Sequence, residues 1–268
     1  MNYLRKLLFP FALIYHAITS VRNYCYSKNW FKSQEYDFPV IGIGNLSTGG
    51  TGKSPMTEYV LRLINNKYNT ATLSRGYGRK TTGYRDVTAQ SNAHQTGDEP
   101  LQFARKFSDV YVAVDEDRRN GISLLRKKNP QPEVIVLDDV YQHRKVKPGF
   151  MIMLSAYGKM FYDDYILPAG NLRESRKGAA RADCVVVTKC PENLSSSEKE
   201  IIRKKINRYS KAPVYFAAIA YSNTIKGATD IELSELASAP FTLVTGIANP
   251  KPLTKYLNNL NLTYEHIA

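Results

Sequence analysis

The chain has 268 residues with 43% apolar content, and 37 Lys+Arg against 24 Asp+Glu give it a net charge of +13. That is enough apolar material for one large or two modest cores, which excludes overall disorder, and no repeat or low-complexity tract points to a solenoid, propeller or fibre. Cys25, Cys184 and Cys190 lack metal-site spacing and are matched with only four His, so a disulfide scaffold or zinc module is excluded and a reducing compartment fits. The positive charge calls for an anionic partner, but it is spread along the chain without a zinc-finger or RNA-recognition signature, so no nucleic acid is expected.

Leu7 to Val21 is strongly apolar and free of formal charge with His16 neutral, yet Pro10 and His16 interrupt it. At about 15 residues it falls short of the roughly 20 needed to span a bilayer. Arg5 and Lys6 precede the run; Arg22, Lys28 and Lys32 follow it among Tyr24, Tyr26, Trp30 and Phe31. Basic flanks with aromatic residues predict a helix over about 3–22 lying in the headgroup region of an anionic membrane surface. A helix buried on the core and a cleavable signal peptide are the competing readings, and the phosphate-binding loop downstream argues against export. Residues 1–32 are thus expected to form a membrane-associated helix and linker, and 33–268 the catalytic core.

Residues 38–44 read as a buried strand, followed at once by Ser47-Thr48-Gly49-Gly50-Thr51-Gly52-Lys53-Ser54 and by a proline-started helix over 55–66. Strand, Gly-rich turn, Lys-Ser and helix together form the context in which a phosphate-loop match carries physical meaning. The glycines let successive N–H groups of Thr48 to Ser54 turn toward phosphate oxygens, aided by the helix N-terminus. Lys53 would bridge the β- and γ-phosphates of ATP and the Ser54 hydroxyl would sit on Mg²⁺. Ser47 stands where the strict pattern has glycine, so the loop is closer to a Gly-Gly-x-Gly-Lys-Ser variant.

A strand over 70–73 leads into Arg75 and Arg79, which are placed to clamp phosphate or a lipid headgroup. Gly97-Asp98-Glu99-Pro100 starts a helix over 99–107, where Asp98 reads first as an N-cap. Then come a strand over 110–114, a helix over 117–128 containing Arg118 and Arg119, and a strand over 133–138 that ends in Asp138 and Asp139. An acid at such a strand tip is placed to hold Mg²⁺, and two adjacent acids share that task only if the strand has already ended. Strands over 150–154, 183–188, 213–220 and 240–245, with a helix over 195–209, complete the reading. Lys189, at the end of the 183–188 strand, is within reach of a nucleotide base or phosphate. The alternation of strands and helices predicts an α/β fold: a doubly wound, mostly parallel sheet of the phosphate-loop NTPase type. The chain stops just after the start of a last strand, Leu262 to Ala268, so a truncated C-terminal part is expected.

Taken in order, Gly44–Pro55, Leu73–Arg79, Gly97–Pro100, Val112–Arg119, Leu137–His143, Leu167–Glu174, Arg181–Lys189 and Val244–Pro250 resemble the lipid A 4′-kinase (tetraacyldisaccharide 4′-kinase) family. The segments Asp-Asp-x-x-Gln-His and Leu-Pro-Ala-Gly-x-Leu-Arg-Glu separate this resemblance from general phosphate-loop ATPases. It implies Mg²⁺-ATP-dependent phosphorylation of the 4′-hydroxyl of a tetraacyldisaccharide 1-phosphate, giving lipid IVA, by a peripheral enzyme on the cytoplasmic face of a bacterial inner membrane. The implied partners are that lipid and an anionic membrane surface, with no protein partner required. Asp98 then becomes the expected catalytic base, with Lys53 and Arg75 neutralising the transferred phosphoryl group, Ser54, Asp138 and Asp139 holding Mg²⁺, and Gln142 and His143 in the site wall. Family members continue through an Asp-His-His segment that is absent here, and His266 is not assigned its role. A phosphate-loop ATPase that switches a protein partner, and a non-catalytic nucleotide-binding module, are the competing classes.

Overall fold

The structure is a computed structural model and describes Arg5, residues 7–247 and residues 249–268. The chain divides after Ala218 into two compact units. The N-terminal helix α1 (Phe9–Ser27) packs within the first unit: the Tyr15 hydroxyl donates to the Arg173 carbonyl, Asn23 donates to Glu174, and Arg144 donates to the Asn23 carbonyl. These bonds also carry the helix one turn past its expected end at residue 22. Its expected start near residue 3 lies outside the described residues.

In the first unit, eight strands form one sheet: β1 (Val40–Asn45), β2 (Thr70–Ser74), β3 (Arg85–Val87), β4 (Val110–Val114), β5 (Val134–Leu137), β6 (Phe150–Ala156), β7 (Cys184–Cys190) and β8 (Val214–Ala218). Their order is β3-β4-β2-β5-β1-β6-β7-β8. All neighbours are parallel except β3 with β4. The helices are α2 (Lys53–Ile64), α3 (Asp98–Lys106), α4 (Arg118–Leu125) and α5 (Ser196–Ile206).

A parallel sheet must be covered on both faces, so its central strands β2 and β5 are buried at every residue rather than at alternate ones. All four residues of β5 are buried. Ile135 and Leu137 face one core, shared with Ile122 and Leu125 of α4 and Ile202 and Ile206 of α5. Val136 faces the other, shared with Val60 and Leu61 of α2 and Phe103 of α3. The doubly wound expectation holds. The antiparallel edge strand β3 and the single helical turn Ala93–Thr96 carry too few residues to leave a periodic signal.

The second unit contains a short antiparallel pair, β9 (Thr224–Ile225) with β10 (Ile231–Glu232). It also has a parallel pair, β11 (Phe241–Val244) with β12 (Tyr264–Ile267), joined through α6 (Lys251–Asn259).

Candidate active site

β1 ends in Asn45, and the side chain of this fully buried residue shapes the loop that follows. Its Nδ2 donates to the Ser47 carbonyl at 2.7 Å and to Thr51 Oγ1 at 2.8 Å. Gly49 and Gly52 adopt φ of 97° and 88°, a left-handed conformation that glycine enters without a Cβ penalty. Gly52 thereby turns the chain directly into α2, and Lys53 and Ser54 occupy the helix's first turn. Residues 171–173 run alongside the loop, with the Thr48 N–H donating to the Asn171 carbonyl and the Arg173 N–H to the Leu46 carbonyl, both at 2.7 Å. Thr48 to Ser54 thus form one continuous cradle.

β5 stops at Leu137, so Asp138 and Asp139 lie beyond the strand and are released from pointing to opposite faces. Both line a cleft of about 450 Å³ together with Arg22, Ser74, Arg75, Glu99, Arg118, Gln142, His143 and Arg173. Asp138 is buried and accepts a hydrogen bond from Thr57 Oγ1 of α2 at 3.0 Å. Burial, and then the neighbouring Glu99 and Asp139 carboxylates, push its carboxyl up to about 7. Asp139 takes a positive φ of 47°. That turn brings it 3.8 Å from Lys53 Nζ and 3.1 Å from Arg173 Nη1.

The remaining expected site residues separate into those inside and those outside the cleft. Arg75 lines it. Arg79 does not: it is buried against Glu116, with its Nη2 2.6 Å from that carboxylate. Arg118 is buried, and its Nε has no hydrogen-bond partner among the described residues. Asp98, the expected base, is exposed at the start of α3 and lines a neighbouring cavity with Asn92, Gln102 and Lys106. The adjacent Glu99 is the acid in the cleft, and its carboxylate is hydrogen-bonded by Ser54 Oγ. Consecutive residues on a helix point about 100° apart, which is why only one of this pair enters.

Asp138, with the Glu99 and Asp139 carboxylates beside it, offers oxygen donors of the kind a divalent cation takes. Among the described residues no cluster of three or more His, Cys, Asp or Glu could hold a metal unaided. That is the ordinary state of Mg²⁺ beside a nucleotide, which takes one or two protein oxygens and completes its shell with phosphate and water. Ser54 and Asp138, with Glu99 at hand, fit this requirement.

The sequence model of the tetraacyldisaccharide-1-P 4′-kinase family matches residues 4–268. This chain belongs to that family. The tetraacyldisaccharide 4′-kinase of Flavobacterium johnsoniae is 53% identical over 97% of this chain and 77% of the relative. That of Bacteroides thetaiotaomicron is 44% identical over 95% and 70%. A crystal structure of LpxK from Aquifex aeolicus in complex with ATP superposes with a TM-score of 0.82 at 30% identity, covering 99% of this chain and 81% of that one.

Within the family segments, several contacts escape a residue-by-residue reading. In Leu167–Glu174, Arg173 reaches Asp139 and Gln142 Oε1, while buried Glu174 is held by both Nη atoms of Arg181 at 2.9 and 2.8 Å. The same Glu174 receives Asn23 of α1 and Gln142 Nε2. Thus α1, the Gln-His segment and the loop beside residues 48–54 form one network. His143 is held near 4 by burial and by the Arg118 charge, so its imidazole is neutral at pH 7. Glu99 was flagged in sequence only as the neighbour of Asp98, and nothing in spacing alone could reveal which of the two enters the cleft.

Proposed function

We propose that the chain transfers the γ-phosphoryl group of ATP to the 4′-hydroxyl of a tetraacyldisaccharide 1-phosphate, as a peripheral enzyme on the cytoplasmic face of an anionic membrane. The observation that carries the reading is a cleft lined by Asp138, Glu99 and four arginines, adjoined by the Lys53–Ser54 loop through Asp139 and Glu99, in a chain from this kinase family. In the transfer, the acceptor oxygen bonds to the γ-phosphorus, the bridging bond to the β-phosphate breaks, ADP leaves, and the hydroxyl proton passes to a carboxylate.

Such chemistry needs positioning and charge neutralisation more than covalent participation by the protein. Lys53 and the loop amides hold the β- and γ-phosphates, and Arg75 and Arg118 lie across the cleft for the transferred group. Ser54 and Asp138 would hold Mg²⁺, with Asp139 fixing Lys53 beside them. Bound there, the ion would supply neutralisation of the negative charge on the phosphates. Asp98 takes the proton-accepting role on the strength of the family resemblance, and Glu99 beside it faces the metal position.

Helix α1 supports the membrane part of the reading. Its buried or half-buried face runs through Ala12, Tyr15, Thr19, Asn23 and Tyr26, which are spaced as one helical stripe. Phe11, Ile14, Ile18 and Val21 form an opposite stripe exposed to solvent, extended by Leu7 and Leu13. Trp30 and Phe31 are exposed just beyond it. An exposed apolar stripe of this extent, with basic and aromatic residues at its end, suits insertion to headgroup depth. No helix among the described residues is long and apolar enough to cross a membrane.

The deciding experiment is transfer of labelled γ-phosphate from ATP to tetraacyldisaccharide 1-phosphate in detergent micelles, with wild type and Lys53→Ala in parallel. Label should appear in the lipid with wild type and vanish with the variant. Lipid-independent hydrolysis without labelled lipid would overturn the proposal.

A further inference from the structure

The phosphate cradle is gripped from behind by the end of β7. The Thr188 hydroxyl, buried, donates to the Thr51 carbonyl at 2.7 Å, and Lys189 Nζ donates to the Gly50 carbonyl at 2.6 Å. A Cβ placed on Gly52 would meet Thr188 at 3.8 Å, so the loop lies directly on this strand end.

Lys189 reaches the loop from an unfavourable backbone position. Its φ is +58°, inside an irregularity of the β7–β8 register between Val187 and Cys190. A non-glycine residue in the left-handed region costs about 1 kcal/mol or more, and such strain persists where the surroundings impose it. Among the described residues no carboxylate lies within ion-pair distance of the Lys189 ammonium. A strained, exposed lysine therefore directs its charge at a backbone carbonyl of the loop that holds phosphate.

The geometry points to Lys189 as a positioning residue for the nucleotide, a second lysine of the cradle beside Lys53. By binding the Gly50 carbonyl, it fixes the Gly50–Thr51 peptide plane, whose N–H closes a tight turn on the Gly49 carbonyl at 2.9 Å, and so sets the shape of the loop that receives phosphate. Its charge adds to the field that attracts ATP. Thr188 supplies the second tether one residue earlier. This inference rests on the proposed nucleotide site and concerns ATP binding only, so it is separable from the identity of the phosphoryl acceptor.

The test compares wild type with Lys189→Met, Lys189→Arg and Thr188→Val in direct titration with Mg²⁺-ATP and in steady-state transfer to the lipid. A charge-assisted hydrogen bond corresponds to about a tenfold change in affinity. Lys189→Met should weaken ATP binding and raise KM for ATP by about that factor, with kcat and KM for the lipid held within about twofold. Lys189→Arg should recover most of the loss, and Thr188→Val should give a smaller loss of the same kind. Unchanged ATP affinity in Lys189→Met, or equal losses in Met and Arg variants, would overturn the inference. Loss of lipid transfer in wild type with ATP affinity still dependent on Lys189 would instead overturn the proposed acceptor and leave this role standing.

Discussion

One wall of the site consists of the acids Asp138 and Asp139, which line the cleft, and the adjoining loop from Ser47 to Ser54, whose Lys53 lies 3.8 Å from Asp139; all come from the tips of the neighbouring strands β1 and β5. It is tied from within by Asn45, Thr57 and Thr188. The facing wall gathers Arg22 from α1, Arg75 after β2, Arg118 from α4, His143 after β5 and Arg173 from the loop beside the cradle. The first wall comes from two short segments braced by hydrogen bonds; the second is assembled by tertiary convergence of five separate segments and its charge comes from arginines. On the proposed function, the first would hold a polyphosphate in one geometry and the second would receive the larger, irregular acceptor.

If the phosphate wall dominates catalysis, its lysine is the steepest point of attack. Lys53→Ala should lower kcat on the order of a thousandfold or more, the scale of removing a preorganised charge from a transferring phosphoryl group. Single-turnover transfer to the lipid measures it, and a loss below tenfold would move the centre of catalysis to the facing wall.

The start of α3 sharpens the comparison, since its two acids fall on different sides of the cleft boundary. Asp98→Asn should reduce kcat by about a hundredfold with ATP affinity retained, as for removal of a general base. Glu99→Gln should instead raise the Mg²⁺ concentration needed for half-maximal rate. Wild-type kcat in Asp98→Asn, with the loss appearing in Glu99→Gln, would transfer the base role to the acid that lines the cleft.

The same division explains what was legible before any coordinates. The Gly-rich loop, Lys53, Ser54 and the strand-end acids are specified by short-range spacing, because a strand, a turn and a helix N-terminus in succession admit one local geometry. The doubly wound sheet followed from the alternation of apolar strands with helices. By contrast, the Asp139–Arg173 pair spans 34 residues and the Asn23–Glu174 bond spans 151, distances over which periodicity carries no information. The choice of Glu99 over Asp98 for the cleft depends on the exit angle from Gly97, whose φ is 90°, and no residue type announces it. Likewise the run from Leu7 to Val21 predicts a helix, but only the hydrogen bonds of α1 to residues 142, 144, 173 and 174 show that it belongs to the first compact unit.

Helix α1 gives a milder perturbation than either wall. Replacing Leu13, Ile14 and Ile18 together with Ser leaves its inner stripe intact and removes apolar area from the exposed one. Co-sedimentation with vesicles containing anionic lipid should fall about tenfold, given on the order of 0.5 kcal/mol lost for each partly inserted side chain. Transfer to micellar substrate should change by less than about twofold. Unchanged co-sedimentation would show that the stripe does not meet the membrane.

The smallest expected effect tests the electrostatics of the arginine wall. His143 has a proton affinity lowered from 6.5 to about 4 by burial and then by Arg118. The unfolded chain thus binds a proton at this residue between those values while the folded chain does not, so the associated stability is present above pH 6.5 and is lost as pH falls through 4. Because the ring is only partly shielded from solvent, the loss should be on the order of 1 kcal/mol rather than the full value of the shift. Urea unfolding at several pH values, with wild type set against His143→Gln, isolates it from the carboxylates, which titrate in both proteins. The wild type should lose stability relative to the variant as pH falls from 6.5 toward 4. Parallel curves would mean that His143 takes up its proton at the same pH in the folded and unfolded chain and adds charge to the wall below about pH 6.5. Diverging curves would mean that arginines alone supply the wall's positive charge, so that its attraction for an anionic acceptor is constant across the physiological pH range.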